Sequence, residues 1–65
     1  MRVNYDKLWK LMIDKKINKT QLSEKAGITT NAMAKLGKNK TVQVETLIKI
    51  CKVLNCKLDE IIDFW

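Results

Sequence analysis

The stretch Asn18 to Thr41, NKTQLSEKAGITTNAMAKLGKNKT, decides how the whole chain is read. Its apolar residues Leu22, Ala26, Ile28, Met33 and Leu36 fall at helical spacings on either side of Gly27. Asn18 is a good helix-capping residue, and Gln21, three positions later, completes a capping-box pattern. Gly27 stands where a helix ends in a left-handed residue, a conformation glycine adopts without steric cost. Thr29 then offers its hydroxyl as the cap of a further helix, Thr30 to about Leu36. The stretch therefore predicts two short helices joined by a tight turn. Leu22 faces inward, and Ser23 is small enough for a neighbouring helix to approach. Met33 and Leu36 hold the second helix to the core, which leaves Thr30, Asn31, Ala34 and Lys35 facing outward.

The same region carries the chain's whole charge excess. From Lys15 to Lys40, lysines 15, 16, 19, 25, 35, 38 and 40 stand against Glu24 alone, seven minus one, or +6. Elsewhere Arg2 and lysines 7, 10, 49, 52 and 57 balance Asp6, Asp14, Glu45, Asp59, Glu60 and Asp63. A pI near 9.6 suits any polyanion, an anionic membrane surface included. Concentration of the excess beside two short helices is the more selective observation, and it points to a nucleic acid.

Working outward, the loop Gly37 to Thr41 is polar and basic, and either Gly37 or Asn39 could close the preceding helix in a left-handed conformation. A fourth helix is predicted from about Val44 to Leu54, weakly capped by Gln43, with Leu47, Ile50, Cys51 and Leu54 inside and Asn55 as its left-handed end. A short fifth helix, Leu58 to Ile62, is expected to bring Leu58, Ile61 and Ile62 onto the core. Phe64 and Trp65 follow, either packed as a clamp on the first and fifth helices or offered to a second copy. Towards the N-terminus, Asn4 can cap a first helix running from Tyr5 to about Lys16, with Val3 and Leu8 spaced as a hydrophobic staple. Its core stripe is Tyr5, Leu8, Leu11 and Met12. Trp9 and Ile13 widen that stripe, as partly exposed side chains or as a partner surface.

Sixty-five residues make one domain, 1–65, close to the size at which one core barely suffices. With 46% hydrophobic and 31% charged residues the composition is that of a globular domain. No apolar run approaches a membrane span, and MRVNYDKLW lacks the apolar centre of a signal peptide, so a cytoplasmic location is expected. Cys51 and Cys56 do not form a CxxC unit and there is no histidine, so neither a zinc site nor any other cofactor is expected. Both thiols are expected to act as small buried hydrophobes. The lack of histidine and of a glycine-rich phosphate loop, in so short a chain, argues against an enzyme and against a small-molecule ligand.

The chain resembles the phage-repressor/Cro-like (XRE) helix-turn-helix family of bacterial regulators. Counting from Lys19, that motif wants an apolar residue fourth, a small one fifth, glycine ninth, and apolar residues tenth, fifteenth and eighteenth; this sequence has Leu22, Ser23, Gly27, Ile28, Met33 and Leu36. VETLIKICKVLNCKLDEII, Val44 to Ile62, is similar to the family's fourth and fifth helices, so the resemblance runs from about Tyr5 to Ile62. It implies an all-α, compact five-helix, lambda-repressor-like DNA-binding domain. Two positions depart from the pattern. Many members pair an arginine in the first helix with a glutamate ending the third, where this chain has Met12 and Gly37; losing both together strands no buried charge. Lys19 stands where many relatives carry a glutamine that contacts the DNA backbone, and lysine can still reach a phosphate.

The function implied is sequence-specific binding of double-stranded DNA by a transcriptional regulator of repressor type, with the third helix in the major groove. Thr30, Asn31 and Lys35 are the expected base readers, and Lys19, Thr29, Lys38, Asn39 and Lys40 the expected phosphate contacts. For Thr30 and Asn31 the competing reading is helix-start chemistry alone. Lys15, Lys16 and Lys25 add to the field from further away. One such domain covers a single half-site, so a two-fold homodimer is expected, with Trp9, Ile13, Ile62, Phe64 and Trp65 as its contact residues. The rival is a protein-interaction module of antitoxin or antirepressor type on the same scaffold.

Overall fold

The computed structural model of the chain describes residues 2–65. In chain order it contains β1 (Val3–Asn4), α1 (Asp6–Asp14), α2 (Lys19–Ala26), α3 (Thr30–Gly37), α4 (Val44–Leu54), a 3-10 turn (Leu58–Glu60) and β2 (Asp63–Phe64). The expectation of five helices in an all-α chain is corrected here to four α-helices and one antiparallel ribbon. The predicted fifth helix shrinks to that single turn, closed by the Lys57 N–H donating to Glu60 Oε2 at 2.8 Å. So short a segment cannot repay helix nucleation. The chain beyond it extends and pairs with its own beginning, Val3 opposite Phe64 and Asn4 opposite Asp63. A salt bridge from Lys7 Nζ to Asp63 Oδ1, 2.9 Å, and a hydrogen bond from the same ammonium to the Asp59 carbonyl, 2.8 Å, fasten this return to α1.

One apolar core draws on β1, all four helices and Ile61: Val3, Tyr5, Leu8, Met12, Leu22, Leu36, Leu47, Ile50, Cys51, Leu54 and Ile61. α2 packs across α4 and against α3, so Leu22 sits fully buried among helices on both sides. Leu58, expected inside, is 39% exposed because the 3-10 turn rotates it off the core, while Ile61 takes the buried place. Cys56 is half-buried rather than buried. The expected clamp of Phe64 and Trp65 on the core does not form; they are 67% and 66% exposed.

The helix starts follow the local chemistry. Asn18 Oδ1 accepts from Gln21 N–H at 2.8 Å and Gln21 Oε1 accepts from Asn18 N–H at 3.0 Å, a complete capping box. Thr29 Oγ1 accepts from Ala32 N–H at 3.1 Å at the start of α3. Asn4 Oδ1 accepts from Asp6 N–H at 2.8 Å, so it serves α1 although the helix begins one residue later than expected.

The helix ends share one device. A left-handed residue follows each helix: Lys16 (φ 56°), Gly27 (φ 68°), Asn39 (φ 55°) and Asn55 (φ 53°). In each case the next N–H reaches back into the last turn: Ile17 to the Met12 carbonyl, Ile28 to Ser23, Lys40 to Lys35 and Cys56 to Cys51, at 2.9–3.2 Å. This is the Schellman arrangement. It settles Asn39, not Gly37, as the end of α3. At Gly27 an added Cβ would meet nothing within 4 Å, so strain there is purely conformational. Gly27→Ala is therefore expected to cost about 1–2 kcal/mol, and Lys16→Gly to gain up to about 1 kcal/mol by relieving the same strain. Thermal melts of the two variants should move in opposite directions.

Candidate nucleic-acid interface

α3 presents a face built by exclusion. Leu36 is fully buried and Met33 half-buried, which turns Thr30, Asn31, Ala34 and Lys35 to solvent. Thr29 performs the capping, so Thr30 and Asn31 are not consumed by it. Two clefts flank this face. Towards α2 the walls are Lys19, Thr20, Glu24, Thr30 and Ala34; towards α4 they include Asn31, Lys35, Gln43, Thr46 and Lys49. The three expected base readers thus divide between the two sides of one helix, Thr30 on one and Asn31 with Lys35 on the other.

Lys19 opens α2, where free backbone N–H groups and the positive end of the helix favour an anion. Its ammonium lies 4.7 Å from the centroid of the Trp9 ring, within cation–π range. Trp9, expected at a dimer contact, is half-buried beneath this lysine. Thr29, having accepted from Ala32, keeps its own O–H free to donate. Lys38, Asn39 and Lys40 form the turn after α3, and the loop is held from below: Tyr5 Oη donates to the Lys40 carbonyl at 2.8 Å, and Tyr5 N–H donates to Asn39 Oδ1 at 3.3 Å. Burial pushes the Tyr5 phenol above its ordinary pKa.

The residues expected at a dimer contact do not all line one cleft. Trp9 and Ile13 share a cleft with Met12, Ile17, Lys19 and Gly37, whereas Trp65 lines another with Arg2 and Lys35. Met12 and Gly37, where relatives carry an arginine–glutamate pair, do face the same cleft, and here its floor is apolar. Ile13 is the most exposed of the large hydrophobic residues at 75%. An apolar strip missing from the sequence reading lies on α4, where Val44 and Ile48 are 60% and 41% exposed. Their spacing of four was a usable signal, hidden because both were absorbed into a generally apolar helix. Thr20, Gln43 and Lys49 also line the clefts beside α3, and the sequence reading gave them no contact role.

The two thiols stand apart from this face. Burial is the main cause that raises both, with Cys51 pushed up to about 11, so they remain protonated at neutral pH. Among the described residues no group of three or more histidine, cysteine or acidic side chains could hold a metal ion, and no helix is long and apolar enough to cross a membrane.

Comparison with known proteins agrees with this fold. The curated "Uncharacterized HTH-type transcriptional regulator YozG" of Bacillus subtilis (strain 168) is 36% identical over 56 residues, covering 83% of this chain and 67% of that protein. The crystal structure of the transcriptional regulator VanUg, Form II, superposes with a TM-score of 0.92 at 47% identity, covering 95% of this chain and 83% of the other. The family model described as the Cro/C1-type HTH DNA-binding domain matches residues 7–64. The chain belongs to the Cro/C1-type helix-turn-helix family of DNA-binding domains.

Proposed function

We propose that this chain is a sequence-specific transcriptional regulator that lays α3 in the major groove and represses by occupying its site. The observation that carries this reading is the exposed face Thr30–Asn31–Lys35, uncommitted to capping or core and framed by lysines. Asn31 can pair bidentately with adenine, Lys35 with the N7 and O6 acceptors of guanine, and Thr30 can meet either polar edge or the thymine methyl. Lys19, Thr29, Lys38, Asn39 and Lys40 then hold the backbone on both sides and set register.

One copy has one recognition helix and reads one half-site, and half-sites lie about one ~34 Å turn apart. We infer a two-fold dimer with its contact drawn from Trp9, Ile13, Ile62, Phe64 and Trp65. The exposure of Ile13 and Phe64 supports it, and sedimentation showing a monomer at DNA-binding concentrations would count against it.

The test of the main reading is a salt titration on random-sequence duplex, followed by selection of bound duplexes from a random pool. The three phosphate-facing lysines Lys19, Lys38 and Lys40 should contribute about −2.7 per copy to the slope of log K against log salt. Affinity that ignores salt would favour the protein-interaction alternative.

A further inference from the structure

Arg2 and Trp65, at opposite ends of the chain, form a cross-strand pair. The Arg2 N–H donates to the Trp65 carbonyl at 2.7 Å, and the Trp65 N–H donates back to the Arg2 carbonyl at 3.0 Å. They extend the ribbon register by one step beyond Val3–Phe64. Directly opposed residues of an antiparallel pair project to the same face. Both line a cleft whose other walls include Lys35, Asn39, Lys40 and Thr41. Arg2, Lys35 and Lys40 line this cleft, and no aspartate or glutamate does.

The arrangement is held rather than incidental. Tyr5, directly after β1, bonds through its N–H to Asn39 and through its hydroxyl to the Lys40 carbonyl. Lys40 N–H in turn donates to the Lys35 carbonyl at 2.9 Å. A chain of hydrogen bonds therefore runs from the ribbon to the last turn of α3. Three cationic side chains around one cleft make it attractive to an anion. A guanidinium matches phosphate oxygens with two parallel donors. The indole of Trp65, two-thirds exposed beside it, offers an apolar plate of the kind that packs on a deoxyribose.

We propose that the ribbon is a second DNA contact, in which Arg2 grips a backbone phosphate flanking the site read by α3 and Trp65 packs on the adjoining sugar. This rests on the DNA-binding reading above. It moves Trp65 from the dimer contact to the nucleic-acid face. Phe64, whose side chain alternates to the other face of the ribbon, stays available to a second copy.

The full chain tests this directly. Arg2→Gln should make the slope of log K against log salt shallower by about 0.9, the loss of one phosphate, on random and selected duplexes alike. Arg2→Lys should keep the slope, and Lys52→Gln, exposed on α4 away from this cleft, should leave it unchanged. Arg2 is exposed, so melts of these variants should match the parent. In a Trp9→Phe background, duplex should shield Trp65 from acrylamide quenching. A parent whose affinity ignores salt overturns the DNA reading itself. A parent with a steep slope and an Arg2→Gln variant with the same slope overturns the ribbon contact alone. Shielding of Trp65 that rises with protein concentration and not with duplex returns Trp65 to the dimer contact and equally overturns it.

Discussion

Leu22→Ala is expected to leave much of the population unfolded under conditions where the parent is fully folded. Leu22 has no exposed surface and sits where α2 meets α4 and α3. Removing a buried leucine side chain costs about 2–5 kcal/mol, the transfer term plus the cavity left behind. A core in a domain of this size supplies only about 3–5 kcal/mol in all. The expected loss is therefore comparable with the whole stability. Each kcal/mol lowers the midpoint by roughly 4–8 °C in so small a domain. Leu22→Met, which keeps the volume, should cost under about 1.5 kcal/mol. Circular dichroism melts of the two variants give the comparison. A cooperative Leu22→Ala melt within a few degrees of the parent would show that α2 is not anchored through this residue.

Asn31→Ala and Lys38→Ala should separate reading from holding. Both residues are exposed, so neither change should move the melting midpoint by more than about 0.5 kcal/mol equivalent. Asn31→Ala is expected to weaken binding to the selected site by about 1–3 kcal/mol and to relax preference at one base pair. Its affinity for random duplex should stay unchanged. Lys38→Ala should weaken selected and random duplexes together and make the salt slope shallower by about one unit. Thr29→Ala is a useful third variant, because its hydroxyl caps α3. It should lose about 1 kcal/mol of stability with no DNA present. Equal losses on both duplexes for Asn31→Ala would remove that residue from base readout.

The helix-turn-helix was legible because each of its signals is local. Asn18 and Gln21 cap one another across three residues, Gly27 needs only its own φ, and Thr29 caps a turn it adjoins. Val44–Leu54 and its left-handed Asn55 were readable for the same reason. The end of α3 was ambiguous between Gly37 and Asn39, since glycine is the better left-handed residue in isolation. Asn39 takes the role, and its side chain also accepts from Tyr5, a residue far away in sequence. Lys16 gave no signal at all. A lysine is a poor choice for φ 56°, and only the route of the chain from α1 into α2 requires it there.

The candidate site divides along the same line. Exposure of Thr30, Asn31 and Lys35 follows from helical period alone once Met33 and Leu36 are placed inside. The seating of Lys19 over Trp9 does not, because it depends on how α1 lies against the start of α2. Nor does the position of Arg2.

Sequence was sufficient for the capped helices and the core-facing stripe, which are written in spacings of three or four residues, and for the basic surplus around α2 and α3, which is a count of charges. Tertiary structure alone determined that residues 2–4 pair with residues 63–65, that Phe64 and Trp65 stay exposed, and that Arg2 lines one cleft with Lys35 and Lys40. Strands of two residues carry no readable period, and their pairing spans the length of the chain. Their place is set by where the helices bring the two ends, and so it exists only once the core has formed.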